Sequence, residues 1–479
     1  MEGKTLDYVI IVVFLIGTAA FGIITGGKQK TIKDYFLGSK NIPWWAVCFS
    51  IVAAETSTLT FISIPGLAYL TNLNFLQVTF GYLIGRILVA IVLLPAYSKG
   101  ELLTAYTFLE KRFGGKTRSF ASIIFLFTRT AADGVRLFAT AIPLKLMLNI
   151  DYPLAIAIIA VITLVYTYTG GMKGVIWVDV MLMFIYFGGA LISAGYLINL
   201  IPGGLSTVTE SAFADNKFSI FNLGFDNGIA GFFSQPYTLL GGLIGGAFLS
   251  MASHGTDQLI VQRLLSTKNL RDGQKAIVGS GIIVIVQFAI FLLVGVMLYA
   301  FYGKLEVKSD EIFPMFIINI LPAGISGIIV AGLFAAAMST LAGSMTSLAS
   351  STMNDLYIPF WGKNLDERKK LIRSRMFTIF WAGMLVVSAI FFMESSRAVV
   401  EIALSIASFT YGGLLGTFLL GILNKNAKQE DALAGFTAGI FIMVSVISLK
   451  LVAWTWYTII GVAATVLIGS LLNKLSDRN

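Results

Sequence analysis

Residues 331–353 read AGLFAAAMSTLAGSMTSLASSTM. The stretch is long and apolar enough to cross a bilayer, yet hydroxyls run through it: Ser339, Thr340, Ser344, Thr346, Ser347, Ser350, Ser351 and Thr352. A segment that only anchors a chain in lipid has no use for them. Hydroxyl and carbonyl oxygens are what a small hard cation needs when it leaves water. Their presence at membrane depth points to ion-coupled transport.

The rest of the chain is equally apolar. Of 479 residues, 57% are hydrophobic and 12% charged, and the mean hydropathy is +0.84. A soluble domain carries about 25% charged residues, so the chain reads as a polytopic membrane protein embedded in the lipid bilayer. The net charge of +9 is spread over many loops rather than gathered in one patch, so no nucleic-acid partner is expected. A single cysteine, Cys48, excludes an internal disulfide. One Cys and one His cannot build a zinc site. No phosphate-loop motif occurs, which leaves ATP-driven pumping without support.

A membrane helix needs about 20 apolar residues. On that rule thirteen spans are expected, all α-helical: 6–26, 43–70, 75–97, 118–147, 152–169, 174–201, 229–253, 275–302, 312–353, 374–393, 398–423, 430–449 and 453–472. The 312–353 run should hold a short helix before Leu321-Pro322-Ala323-Gly324 and the true span after it. Threading thirteen spans puts every basic loop on one side, including Lys28, Lys30, Lys33, Lys40, Lys99, Lys111, Arg112, Arg118, Arg263, Lys268, Lys363, Arg368 and Arg478. The loop 202–228, with Glu210, Asp215 and Asp226, falls on the other. The positive-inside rule makes the basic side cytoplasmic. The N-terminus is then outside the cell membrane and the C-terminus inside.

Several motifs now converge: Asp34-Tyr35-Phe36-Leu37-Gly38, residues 106–113 (YTFLEKRF), residues 170–179 (GGMKGVIWVD), Val261-Gln262-Arg263, Ala336-Ala337-Met338-Ser339-Thr340, and residues 413–418 (GLLGTF). Together they resemble the sodium/solute symporter family of sugar, proline, sialic acid, iodide and monocarboxylate carriers. The likeness runs from the first span to about residue 424.

The resemblance implies a leucine-transporter-type fold: two five-helix repeats of inverted topology around a midplane site. They would be residues 43–201 and 229–423, with an extra helix at 6–26 and two more at 430–472, functional as a monomer. Both repeats open with interruption signals. The first has Glu55-Thr56-Ser57-Thr58 and then Pro65-Gly66; the second has Gly241-Gly242 and Gly245-Gly246. Broken backbone at membrane depth is tolerated only against protein or a cavity.

By the same resemblance, one sodium ion (Na+) is the coupling ion. It would be held by the carbonyls of Ala53, Thr56 and Ala336 and the hydroxyls of Ser339 and Thr340. Asp179 matches an aspartate used by some relatives for a second ion or for the ion's inner exit; its alternative role is pairing with a nearby base. Ala342 and Gly343 lack the side-chain oxygens a second site uses, which argues for one sodium per cycle.

Ionisable residues inside spans cost about 2.5–3.5 kcal/mol each on insertion scales and so mark function. Glu55, Asp133 and Arg136 stand out. Arg129 and Arg136 share a helix face with Asp133 one turn from each. Two readings follow: Arg136 clamps a substrate carboxylate, or Glu55 and Arg136 form an internal pair. The resemblance adds Ser57 and Thr60 as substrate-contacting hydroxyls. Thr60 stands where sugar carriers have glutamine, so an organic acid, amino acid or sialic-acid-like solute is favoured over a sugar. His254, beside Asp257, is expected to be a hydrogen-bonded structural contact rather than a proton relay.

The expected function is therefore sodium-coupled uptake of a small organic solute by alternating access. Proton coupling through Glu55 or Asp179 is the alternative within the class. A membrane sensor or scaffold is the alternative outside it, and would call for a soluble output domain beyond the last span near residue 472. An intramembrane enzyme lacks any nucleophile–base pair or ligand cluster.

Overall fold

A computed structural model describes residues 2–98, 102–148, 150–225, 228–394 and 399–476. Lys99, Asp226 and Arg478 of the loop-charge pattern lie outside the described residues, as does residue 398 at the start of the eleventh expected span. Within them the chain is helical, and the only β-type pairing is a bridge between Ile42 and Thr267. Eight helices are long and apolar enough to cross a membrane, or nine if one sharply bent pair counts as a single span.

That bent pair is α3 (Trp44–Glu55) and α4 (Thr58–Leu70). They follow α1 (Glu2–Gly26) and the short α2 (Ile32–Leu37). Thr56 and Ser57 leave helical geometry, with ψ of 97° and 169°, and the two halves meet at 63°. The break lies where Glu55-Thr56-Ser57-Thr58 foretold it. Pro65-Gly66 makes no second break and sits inside α4.

Next come α5 (Leu76–Leu88) with its continuation α6 (Leu94–Ser98), α7 (Tyr106–Phe113), α8 (Gly115–Leu148) and α9 (Tyr152–Leu200). α9 is two expected spans run together. The interruption is confined to Gly171, whose φ of 57° a residue with a Cβ adopts only at a cost.

α10 (Leu205–Ala214) and α11 (Gly228–Ser234) lead to α12 (Gly246–Gly255) and the separate short α13 (Gln258–Leu265). Here the structure departs from the sequence-based expectation. Gly241-Gly242 and Gly245-Gly246 do not break the helix; 241–245 is a wide π-helical turn leading straight into α12. The non-helical segments lie on either side, at 235–238 and at Thr256-Asp257. The glycines serve close approach instead. A Cβ on Gly245 would stand 2.1 Å from the Thr455 carbonyl, and one on Gly81 of α5 2.2 Å from the Gly242 carbonyl.

α14 (Leu270–Tyr302) and α15 (Ile312–Asn319) precede α16 (Ile325–Ser351), which carries the opening stretch. The short helix before Leu321-Pro322-Ala323-Gly324 is present as expected. α17 (Glu367–Phe391), α18 (Val399–Leu423), α19 (Gln429–Ser448) and α20 (Tyr457–Ser476) complete the chain.

α16 is buried along nearly its whole length, whereas α1 and α17 face outward. Apolar side chains in lipid gain nothing by meeting each other, so close packing through small residues decides membrane helix contacts. Gly22 and Gly26 of α1 meet Gly170 and Gly174 of α9, and a Cβ on Gly26 would lie 2.2 Å from the Gly170 Cα. Asp7 of α1 caps α16: it accepts from the amides of Gly324 (2.7 Å) and Gly327 (2.9 Å) and from the Ser326 hydroxyl (2.7 Å). A carboxylate there is favoured by the helix dipole.

Gly295 of α14 faces the broken span, and a Cβ would sit 2.1 Å from the Pro65 carbonyl. Gly295→Ala is therefore expected to destabilise the protein by about 1–3 kcal/mol through overpacking. Thermal unfolding of the detergent-purified variant reads this directly; an unchanged midpoint would contradict the packing described.

The loop motifs are fastenings. Asp34 closes a capping box on α2 with Thr31. Burial pushes its carboxyl up, but hydrogen bonds from Ser39, the Lys30 amide, and the Thr31 amide and hydroxyl outweigh that and hold it below the usual carboxylate range. Arg112 of residues 106–113 donates to the carbonyls of Gly421, Asn424 and Ala427 at the end of α18. Gln262 donates to the Phe36 carbonyl at 2.8 Å.

Candidate ion and solute site

The end of α3 supplies carbonyls by default. The last carbonyls of any helix lack amide partners four residues on, and the turn at Thr56-Ser57 leaves those of Ala53 and Ala54 in that state. Facing them is α16. The Thr340 hydroxyl lies 3.4 Å from the Ala54 carbonyl and 3.2 Å from that of Ala336. Two helices far apart in sequence thus bring backbone and hydroxyl oxygens to one place, buried on every side.

Ser339 donates its proton to Asp179 Oδ1 at 2.6 Å. A hydroxyl that donates its one proton still has lone pairs to offer, so Ser339 remains competent to ligate a cation. Thr56 is held from the other direction: Gln287 Nε2 donates to its hydroxyl at 2.6 Å, and that hydroxyl donates to the Val52 carbonyl at 2.8 Å.

Asp179 has a fixed partner. Arg263 donates from Nη2 to Asp179 Oδ2 at 2.9 Å, and Ser50 donates to the same oxygen at 2.5 Å. Arg263 and Asp179 are both fully buried. Arg263, counted with the basic loops in the sequence, is thus turned into the protein from its short helix.

A nearly closed cleft, with room for about one water molecule, adjoins the broken end of α3. It brings together Ser57, Asp133, Arg136 and Thr340 with Thr58 and Thr140. Three of the expected solute residues thus meet one of the expected sodium ligands. Thr60 is not among the described residues lining it. Asp133 accepts from Arg136 Nη1 at 2.9 Å, from Arg129 Nη1 at 3.4 Å, and from the Ser344 hydroxyl. Arg136 keeps a quarter of its side chain exposed. Among the described residues, its other donors make no hydrogen bond to a side chain or carbonyl.

Glu55 is not in this pocket and does not pair with Arg136. Its partner is Arg86 of α5, which also donates to the Ser280 hydroxyl at 2.8 Å. His254 Nε2 stands 3.4 Å from the same Glu55 oxygen, and its Nδ1 shares a hydrogen with Ser253 at 2.8 Å. Asp257, the suggested relay partner of His254, pairs with Arg129 and accepts from the Tyr411 hydroxyl at 2.8 Å.

Arg86, Tyr411 and Ser50 were not foreseen from the sequence, nor was the pairing of Asp257 with Arg129. The signal for Arg86 was available: it is a charge in the middle of an apolar run, subject to the rule that singled out Glu55. Nothing local marks Ser50 or Tyr411.

A helical bundle with a span broken part-way along, oxygens gathered at the break and an arginine-lined cleft beside it defines an ion-coupled membrane carrier. The chain belongs to the sodium:solute symporter family, whose model matches residues 35–439. It is a multi-pass membrane transporter of the leucine-transporter-type fold and not an enzyme. Among its relatives are the sodium/sialic acid symporter NanT of Aliivibrio fischeri, 29% identical over 99% of this chain and 94% of that one. The human sodium-coupled monocarboxylate transporter 1 is 28% identical over 90% of this chain and 72% of its own length. Among solved structures, a substrate-bound, outward-open sodium-coupled sialic acid symporter superposes with a TM-score of 0.90 at 25% identity, covering 98% of this chain and 97% of that one.

Proposed function

We propose that this protein imports a small organic acid together with one sodium ion, the acid's carboxylate being held by Arg136. The pocket that joins Arg136 and Ser57 to Thr340 carries the reading. The charged residues around it balance: Arg129 and Arg136 against Asp133 and Asp257, Arg86 against Glu55, Arg263 against Asp179. A carboxylate entering alone would leave one uncompensated negative charge in a low-dielectric site. A sodium ion on Ala53, Thr56, Ala336, Ser339 and Thr340 supplies the missing positive charge next door. Each ligand then raises the affinity for the other, and that coupling is reciprocal.

Sodium is favoured over protons because Glu55, Asp133 and Asp179 each have an arginine partner. The names of the relatives, sialic acid and monocarboxylate carriers, favour an acidic solute.

The thirteen-span topology fits the helices seen. Beyond the nine candidates, the Gly171 kink divides α9, and α8, α11 with α12, and α18 cross as well. The basic loops then face the cytoplasm, with the N-terminus outside. The inverted repeats would be 43–201 and 229–423, worked as a monomer.

The test is thermal stabilisation of the purified protein by sialic acid, short monocarboxylates and neutral sugars, in sodium and in potassium. An acid should stabilise in sodium only. Hydrogen bonds to charged groups are worth about 1.5–3 kcal/mol, so Arg136→Ala should weaken that acid roughly ten- to a hundredfold. An acid bound equally well by Arg136→Ala, or a neutral sugar as the sole ligand, would sink the reading.

A further inference from the structure

Three helix ends meet at one level on the outside of the bundle. α1 ends at Gly26, and Gly26 packs on Gly170 beside the Gly171 turn of α9. α3 begins at Trp44, and Trp45 stands edge-on to Trp177 of α9 with ring centres 5.4 Å apart. Trp44 and Trp45 are both exposed. Exposed tryptophans at helix ends mark the edge of the hydrocarbon, where the indole sits between lipid and water.

A cleft of about 490 Å³ opens at that level, lined by Thr25, Ser39, Asn41, Pro43, Lys173 and Trp177 among others. One wall is a fixed turn. The Ser39 hydroxyl donates to Asp34 Oδ1 at 2.6 Å, and the Ile42 amide donates to the Ser266 carbonyl at 3.3 Å. Asp34, the carboxylate beside Ser39, is fully engaged, because its Oδ2 accepts from the amides of Lys30 and Thr31. Lys173 is the opposite case: among the described residues its ammonium has no acidic partner, and the Asn41 amide makes no hydrogen bond. The connecting segment 27–43 adds Lys28, Lys30, Lys33 and Lys40 against Asp34 alone.

An aromatic stripe leads away from the cleft along the seam between α3 and α9. Phe49 follows Trp45 by one turn, with ring centres 6.2 Å apart, and meets Phe184 of α9 at 5.4 Å. Phe184 is exposed. A positive cleft at the membrane edge, continued by an apolar stripe, matches a phospholipid with an acidic headgroup. A free phosphate would make no use of the stripe.

We propose that this cleft binds one anionic phospholipid, with its phosphate on Lys173 and Asn41 and an acyl chain along Trp45, Phe49 and Phe184. Basic pockets between membrane helices take acidic headgroups in this way. The leaflet is the cytoplasmic one in the orientation put forward above, and the site itself does not depend on that orientation. The lipid bridges α3 to α9, and so braces the helix that ends at the Thr56-Ser57 break.

Titration of the delipidated full chain, in neutral detergent, with phosphatidylglycerol tests this. Native mass spectrometry follows the tightest-bound lipid, and thermal unfolding reads its effect. Phosphatidylglycerol should bind and raise the unfolding midpoint; phosphatidylcholine and glycerol 3-phosphate should do neither at the same concentration. Lys173→Gln should weaken that lipid roughly fivefold, and Lys173→Arg should stay near the wild type. Trp45→Ala should weaken it as well, and Lys173→Gln carries the comparison should Trp45→Ala not survive purification. Lys363→Gln, in another basic loop, should change nothing. Equal binding of phosphatidylcholine, or wild-type binding of phosphatidylglycerol by either variant expected to weaken it, would overturn the site. Stabilisation by glycerol 3-phosphate as strong as by the lipid would overturn the lipid as its occupant.

Discussion

Arg86→Ala is expected to lose uptake altogether and to unfold at a markedly lower temperature. Glu55 sits at the end of α3, where carbonyls already lack amide partners, and Arg86 is its charge partner. Removing one member of a fully buried ion pair costs about 3–5 kcal/mol; Glu55 keeps 19% of its side chain exposed, so the cost here falls toward the lower end of that range. Among the described residues His254, 3.4 Å away, is the other basic side chain beside Glu55, and a buried imidazole is a poor substitute for a permanent charge. Replacing both members with neutral residues, as in Glu55→Gln with Arg86→Gln, should recover most of the stability, because no charge is then stranded. Thermal unfolding in detergent with uptake into proteoliposomes distinguishes the two variants. If Arg86→Ala were as stable as the wild type, the pair would not be what closes α3 onto α5.

Ser339→Ala and Thr340→Ala should each weaken sodium roughly ten- to a hundredfold, and the double variant should lose sodium dependence of solute binding. Each deletes one hydroxyl of the proposed five-oxygen set, and a bond to a charged partner is worth about 1.5–3 kcal/mol. The two differ in their side effects. Ser339 also donates to Asp179, which keeps Ser50 and Arg263, so Ser339→Ala disturbs the ion site from within. Thr340 contacts the Ala54 carbonyl and lines the solute pocket, so Thr340→Ala should weaken the solute as well. Thr340→Ser retains the hydroxyl and should stay near wild type. The sodium concentration giving half-maximal thermal stabilisation measures all four. Unchanged sodium affinity in both alanine variants would move the ion elsewhere.

Much of this was legible before any coordinates. Membrane character follows from composition, because only helices or closed barrels satisfy backbone groups in lipid, and runs of 20 apolar residues spell helices. The break at Thr56-Ser57 was marked by polar residues in an apolar span, and the hydroxyls of α16 by their own density. Glycines were legible as special but not in their purpose. Gly241 and Gly245 looked like a break and turned out to be surfaces for Thr238 and Thr455, since a missing side chain frees the backbone and admits a neighbour by the same omission.

Pairing was not legible. Glu55, Asp133 and Asp179 could each be named as a buried charge from sequence alone. Which arginine neutralises each one depends on crossings between helices far apart in the chain. α5 brings Arg86 to Glu55, and α13 carries Arg263 inward over Gly343. Charge in an apolar span is a local property and can be read residue by residue. Compensation of that charge is a property of distance, and only the packed bundle sets the distances.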